Sequence, residues 1–154
     1  MSTPSQPNYS IHSIIAAYGI GLIPHGYYFV TMMANARSQA SNLLPRENLS
    51  TLKSSLPSQI WTKLAKARGA HLNAMENLPL FAVAMLAGNV AQLPADELNT
   101  LSLEYLGARI LYMAAYMGAR SEAISYVRTG LWAWSVSIPI MALVKAGKAF
   151  DGTA

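Results

Sequence analysis

The chain has 154 residues, of which 53% are hydrophobic and only 12% are Asp, Glu, Lys or Arg. The charged fraction is about half that of an ordinary soluble domain, which excludes intrinsic disorder, and the lack of cysteine excludes disulfides and cysteine-ligated metals. The net charge of +4 is dispersed without adjacent basic residues, so it indicates no nucleic-acid partner. A very apolar soluble helical domain or a small integral membrane protein remains.

The first apolar segment, residues 11–36, contains no Asp, Glu, Lys or Arg and exceeds the roughly 20 residues that cross a bilayer. A signal peptide is the alternative, but no basic residue precedes Ile11 and the segment is longer than the roughly 7–15 apolar residues of such a peptide. We therefore predict a membrane-spanning helix.

Three further helices follow. The apolar run 78–90 is too short alone, so its helix is predicted to begin near Ile60 and to include a polar stretch. No segment alternates with the period of a strand. The sequence predicts an all-α bundle of four transmembrane helices. The four predicted spans are 11–36, 60–91, 98–118 and 126–144.

The basic residues favour the membrane alternative. Eight of them lie on the side of the first and third linkers (37–59 and 119–125), and two lie on the opposite side. The positive-inside rule places those linkers in the cytosol and both chain ends outside or in the lumen. The predicted organisation is an N-terminal tail, 1–10, a membrane domain, 11–145, and a C-terminal tail, 146–154.

Span two carries polar residues that are costly at membrane depth. Asn73, Glu76 and Asn77 share one helical stripe, and Arg68 and His71 lie one turn above it. A charge at mid-span costs roughly 2.5–3.5 kcal/mol, so such residues indicate function. A solvated helix end explains Arg68, but it does not explain Glu76, which adjoins the apolar core.

Span three carries a guanidinium and three phenols on one helical face, at spacings i, i+4, i+7 and i+11. This pattern predicts a polar cleft between helices. The alternative is an internal ion pair of Arg109 with Glu76 or Glu104. The residues of the face are Tyr105, Arg109, Tyr112 and Tyr116.

Three segments resemble motifs of the MAPEG family, the membrane-associated proteins in eicosanoid and glutathione metabolism. The run 67–81, ARGAHLNAMENLPLF, is similar to the family signature. Residues 108–116 resemble the third-helix pattern Arg-x-x-Tyr/His-x-x-x-Tyr, and Arg128-Thr129 resembles the Arg-Ser/Thr entry to the fourth helix. The resemblance spans about 11–145 and implies a four-helix protomer that assembles as a homotrimer.

The resemblance also implies a function. A membrane-bound glutathione transferase would conjugate glutathione to lipophilic electrophiles in detoxification, or would reduce lipid hydroperoxides with the same thiol, and would use no metal. The alternatives are a glutathione-assisted or glutathione-independent isomerase and a non-catalytic lipid-binding scaffold. The membrane would be the endoplasmic reticulum of a eukaryote or the inner membrane of a bacterium.

The site residues follow from the same resemblance. Arg128 and Thr129 would serve the thiolate, which is the nucleophilic form of the thiol. Gly69 stands where many members have arginine, and the long gap between Tyr116 and Arg128 makes Arg120 a rival for the thiolate. The implied glutathione-binding residues are Arg68, His71, Asn73, Glu76, Arg109, Tyr112 and Tyr116.

Overall fold

The computed structural model describes residues 6–152, so the outermost parts of both predicted tails, 1–5 and 153–154, lie outside the described residues. The all-α prediction is confirmed, because residues 6–152 form helices and connecting turns without a strand. A long helix covers each apolar segment, and the first linker contains a short helix that was not predicted. The helices are α1 (Ser10–Ala36), α2 (Asn48–Thr51), α3 (Ser58–Val90), α4 (Ala95–Gly118) and α5 (Glu122–Phe150).

Helix boundaries differ from the predicted ones where local sequence, rather than hydropathy, sets them. Pro57 and Pro94 stand immediately before α3 and α4 with extended backbones, so both helices begin upstream of their apolar runs. The last helix continues beyond residue 144, and Gly152 follows its end with a positive φ of 66°. A left-handed residue just after a helix is the usual termination signal. Part of the predicted C-terminal tail is therefore helical.

Helices α3 and α4 form the centre of the bundle. Each contacts both α1 and α5, and within the described residues α1 and α5 do not contact each other. Phe81 of α3 and Tyr105 of α4 stack with ring centroids 3.9 Å apart, and Ile138 of α5 is fully buried in the same cluster. The central pair can thus carry polar residues that face α5, while α1 packs on the other side.

Helix α1 approaches α3 closely at Gly21. A methyl group on Gly21 would lie 3.0 Å from the Cβ of Ala74 and closer still to the Cε of Met75. In proteins, Cβ atoms do not lie closer than 3.0 Å to a packed neighbour. The side chain of His71 joins the same two helices through the carbonyl of Gly21.

The outer surface of the bundle is apolar. Helices α1 and α5 are long and apolar enough to cross a membrane, and only 17% and 22% of their apolar windows are buried within the chain. Ile15 and Tyr126 on these helices are 71% and 75% exposed, and Leu103 on α4 is 73% exposed. An apolar surface of this extent requires lipid or another protein chain against it.

Side-chain amides organise both ends of the bundle. Asn8 Nδ2 donates to Asn89 Oδ1 at 2.8 Å, which attaches the N-terminal segment to the end of α3. At the other end, Asn48 is 2% exposed; its Nδ2 donates to the carbonyl of Ser41 at 2.9 Å, and its Oδ1 accepts from the N–H of Ser41 at 2.8 Å. These bonds give the loops a defined conformation.

Candidate functional site

A polar cleft of about 370 Å³ opens between α3, α4 and α5. It brings together residues from all three motif segments, although these are far apart in the sequence. The lining residues are Gly69, Leu72, Asn73 and Glu76 from α3, Tyr112 and Tyr116 from α4, and Arg128, Thr129 and Trp132 from α5.

The α3 wall of the cleft depends on a glycine. The ring carbon Cζ of Tyr116 lies only 2.9 Å from the position that a Cβ on Gly69 would occupy, and the hydroxyl lies closer still. Tyr116 therefore reaches α3 because residue 69 has no side chain, which gives a structural reason for glycine at this position. The phenol of Tyr112 meets that of Tyr116 edge to face at 5.7 Å.

Arg128 extends into the cleft from the second turn of α5. Its guanidinium carbon lies 4.7 Å from the centre of the Tyr116 ring, and its Nη2 donates to Ser125 Oγ at 3.0 Å. A cation over a phenol face is held by the ring quadrupole. The neighbouring Thr129 hydroxyl donates to the carbonyl of Ser125 at 3.1 Å, so its oxygen is left as an acceptor.

Arg109 lies behind the cleft and positions Asn73. It is 4% exposed, its Nη2 donates to Asn73 Oδ1 at 3.0 Å, its Nη1 lies 3.4 Å from Ser135 Oγ, and its guanidinium carbon is 4.8 Å from the centre of the Tyr112 ring. Among the described residues these partners are neutral, so the alternative ion pair of Arg109 with Glu76 or Glu104 is absent. Because guanidinium only donates, the Asn73 oxygen must face Arg109, and the amide nitrogen remains for another acceptor.

Two predicted binding residues face away from this cleft. Arg68 Nη1 donates to the carbonyl of Arg46 at 2.5 Å, on the side of the first linker. His71 Nδ1 lies 2.8 Å from the carbonyl oxygen of Gly21, and its ring is 4.8 Å from that of His25. A carbonyl can only accept, so Nδ1 carries the proton, and His71 links α3 to α1 within the chain.

The rival arginine lies elsewhere. Arg120 is in the turn between α4 and α5 and lines a separate cavity with Lys63 and Lys66. Tyr105, the fourth member of the predicted face, is buried against Phe81. Of the two candidate arginines, only Arg128 contributes to the polar cleft.

Sequence reasoning did not assign Leu72 or Trp132 to the site. Trp132 lies one turn after Arg128 and lines the cleft. Leu72 precedes Asn73 and is 46% exposed. Helical spacing is the signal that could have found both, because Leu72 lies four residues before Glu76 and Trp132 four residues after Arg128. The two residues give the cleft an apolar margin.

The chemistry of the cleft is zwitterionic. Glu76 supplies a carboxylate that makes no hydrogen bond or ion pair within residues 6–152, and Arg128 supplies a cation. Two phenols and an amide lie between them. No group of three or more His, Asp or Glu side chains among residues 6–152 is arranged to hold a metal ion. The arrangement suits a polar ligand that carries both charges.

Comparison with known proteins identifies the family. A family model described as the MAPEG family matches residues 15–148 of the 154-residue chain. No curated protein and no solved structure matches the chain. The family match includes every helix that lines the cleft and confirms the resemblance seen in the motifs. The chain therefore belongs to the MAPEG family, a helical membrane family that includes glutathione transferases and related enzymes.

Proposed function

We propose that this protein is a membrane-bound glutathione transferase that conjugates glutathione to lipophilic electrophiles. The observation that supports the proposal is the cleft itself, in which the three motif segments meet on three helices. Family membership gives the coarser class, a membrane family of glutathione-related transferases and isomerases. The residues of the cleft support the finer assignment, which is the proposal.

The charges of the cleft match those of glutathione. Glu76 would accept a hydrogen bond from the tripeptide's ammonium group, and the free amide nitrogen of Asn73 would donate to a carboxylate or carbonyl oxygen. Tyr112 and Tyr116 would line the backbone of the tripeptide. Arg128 would face the sulfur from the opposite wall.

Arg128 would promote the chemical step by stabilising the thiolate. A thiol at neutral pH is only partly ionised, and a fixed cation in a low-dielectric cleft favours the anion. The thiol proton leaves to water, the thiolate attacks the electrophilic carbon, a C–S bond forms and the leaving group departs with its electron pair. The Thr129 hydroxyl would need to leave the Ser125 carbonyl to donate to sulfur.

We further propose four membrane spans and a homotrimer. Helices α3 and α4 place polar residues between the apolar helices α1 and α5, as expected for an intramembrane site. Glutathione carries two carboxylates besides its thiol, and a single protomer offers one cation in the cleft. A neighbouring protomer would supply the rest, and Arg68 and His71, which face away from their own cleft, would act there.

The localisation and the co-substrate follow from the same proposal. The protein would lie in the endoplasmic reticulum membrane of a eukaryote or the inner membrane of a bacterium, with the cleft near the cytosolic side. Trp132 and Leu72 at the margin would admit a lipophilic electrophile from the bilayer. Glutathione would be a co-substrate, and the chemistry needs no metal.

The test uses detergent-purified protein, glutathione and a chromogenic aryl halide. We expect turnover above the uncatalysed rate and a rise in the thermal midpoint when glutathione is added. Absence of both would contradict the transferase and leave the lipid-binding scaffold. A lipid hydroperoxide reduced in place of conjugation would identify a peroxidase, and rearrangement of a lipophilic substrate without a glutathione adduct would identify an isomerase.

A further inference from the structure

A second cavity, of about 640 Å³, lies beside the cleft and is lined by cations. Three basic side chains converge on it from two parts of the chain: Lys63 and Lys66 from α3, and Arg120 from the turn between α4 and α5. No carboxylate lines this cavity. The cavity takes no part in the proposed glutathione chemistry.

A specific bond brings these cations together. Lys66 Nζ donates to the carbonyl of Ala119, which attaches the α4–α5 turn to α3. The next residue in the turn is Arg120, so the bond holds its guanidinium on the same cavity as Lys63. A carbonyl does not neutralise an ammonium group, and within residues 6–152 neither Lys63 nor Arg120 makes a hydrogen bond or an ion pair. The positive charge therefore remains available to a ligand.

The remaining lining is neutral and divides the cavity by polarity. Ser58, Gln59 and Thr62 offer hydroxyl and amide groups from the first turns of α3, and Met117 with Gly118 supplies an apolar floor at the end of α4. A ligand that fits has an anionic, hydrogen-bonding head and an apolar continuation. This is the chemistry of an anionic phospholipid.

Helix lengths place the cavity at the depth of lipid head groups. Helix α3 has 33 residues, about 13 more than the roughly 20 that cross the hydrocarbon. The excess is at its N-terminal end, because the other end is apolar up to Val90. Helix α4 ends at Gly118, so Met117 marks the edge of its apolar run and the three cations lie just beyond it.

We propose that this cavity binds the phosphate head group of an anionic phospholipid from the adjoining leaflet. Lys63 and Arg120 contact the phosphate, Lys66 maintains the turn, and Met117 contacts the start of an acyl chain. Basic pockets between helices on the cytosolic side are suited to such head groups. The inference rests on the proposed membrane orientation and is independent of glutathione, so it can fail while the transferase proposal stands.

The experiment measures which lipids the intact protein retains. Protein in mixed micelles of phosphatidylglycerol and phosphatidylcholine with matched acyl chains is examined by native mass spectrometry. Each cation near an anionic surface contributes about a fivefold preference, and we expect wild-type protein to retain the anionic lipid at least fivefold over the zwitterionic one. The double variant Lys63→Gln/Arg120→Gln keeps Lys66, and hence the turn, and should lower this preference at least fivefold relative to wild type; an unchanged preference would overturn the proposal.

The matched control removes two charges from the same end of the molecule outside the cavity. Arg37→Gln/Lys53→Gln should keep the lipid preference within about twofold of wild type, whereas an equal loss would indicate diffuse surface attraction and overturn the proposal. Soluble glycerol phosphate is the second arm. If it raises the thermal midpoint as much as phosphatidylglycerol does, the site binds a free phosphate and the lipid assignment is wrong.

Discussion

Arg128 and Tyr116 form the end of the cleft at which we propose that the thiolate is bound, and the guanidinium lies over the phenol face beside Thr129. This contact fixes the direction of a long side chain that would otherwise be free to reach bulk water. The residues with the clearest expected effects are therefore those that carry charge into the cleft and the glycine that admits Tyr116.

Replacing Arg128 by alanine should reduce turnover by about 100- to 1,000-fold, the usual loss when a charge-stabilising group is removed. Glutathione binding, measured by calorimetry, should change little, because the tripeptide's contacts with α3 remain. Arg120→Ala is the control and should leave turnover near wild type. The reverse result for the two variants would move the thiolate site to the α4–α5 turn.

Glu76→Gln tests the opposite charge. The side chain keeps its size but loses the anion that would hold the glutathione ammonium group, and a charge-assisted hydrogen bond contributes about 1.5–3 kcal/mol. We expect the dissociation constant for glutathione to rise by at least tenfold in calorimetry. An unchanged constant would show that Glu76 does not bind the tripeptide.

Gly69→Ala separates positioning from stability. The added methyl meets the far end of Tyr116, which can rotate away, so the thermal midpoint should shift only slightly. The Tyr116 ring would move, the Arg128 guanidinium that lies over it would lose its position, and turnover should fall. Gly107→Ala on α4 is the control, because a methyl group there has no packed neighbour within 4 Å. Equal activity in the two variants would contradict the positioning role of Gly69.

Among the helices, α1 packs most closely against α3 at Gly21, where α1 has no side chain. Gly21 allows α1 to approach Ala74 and Met75, and His71 bonds to its carbonyl. The fit tolerates little added volume, because Ala74 offers no rotamer that could move aside. The packing of α1 on α3 is thus more sensitive to size than its apolar composition indicates.

Gly21→Ala should therefore destabilise the protein by about 1–3 kcal/mol, the usual cost of overpacking. Gly19→Ala, two residues away on the same helix, has open space around its Cβ position and should be neutral or slightly stabilising. Thermal unfolding in detergent measures both. Equal midpoints for the two variants would contradict the close packing.

The sequence predicted the elements better than their contacts. Hydropathy located the four long helices, and helical spacing brought Asn73, Glu76, Tyr112 and Tyr116 to one side of their helices. Helical spacing could not show that Arg109 would bond to Asn73, or that His71 would face α1. The spacing tells only which residues share a side of one helix. Which neighbour lies on that side depends on packing between helices.

At the scale of the whole molecule, charge and apolar surface together define an orientation. The cytosolic end predicted from the basic residues includes the first linker, the N-terminal turns of α3 and the α4–α5 turn, and the cavity lined by Lys63, Lys66 and Arg120 lies there. The opposite end carries Glu97, paired with Lys145. This asymmetry predicts which loops face which compartment.

The absence of cysteine permits a direct test of that orientation. Cysteine can be introduced at one position on each side. Leu43 in the first linker is 92% exposed, and Asp151 lies at the other end of the bundle. A membrane-impermeant maleimide added outside intact bacterial cells should label Asp151→Cys and leave Leu43→Cys unlabelled. Sealed microsomes, which present their cytosolic face, should give the reverse. Labelling of both from one side would exclude four spans.

The hydrogen-bonded amides at the two ends have a consequence for sugar attachment. Asn8-Tyr9-Ser10 and Asn48-Leu49-Ser50 both match the acceptor pattern for N-linked glycans. In each, the nitrogen that would receive the sugar is already a donor, to Asn89 or to Ser41. Because the first linker is predicted to face the cytosol, a glycan at Asn48 would contradict that orientation, whereas a glycan at Asn8, on the side of the chain ends, would agree with it.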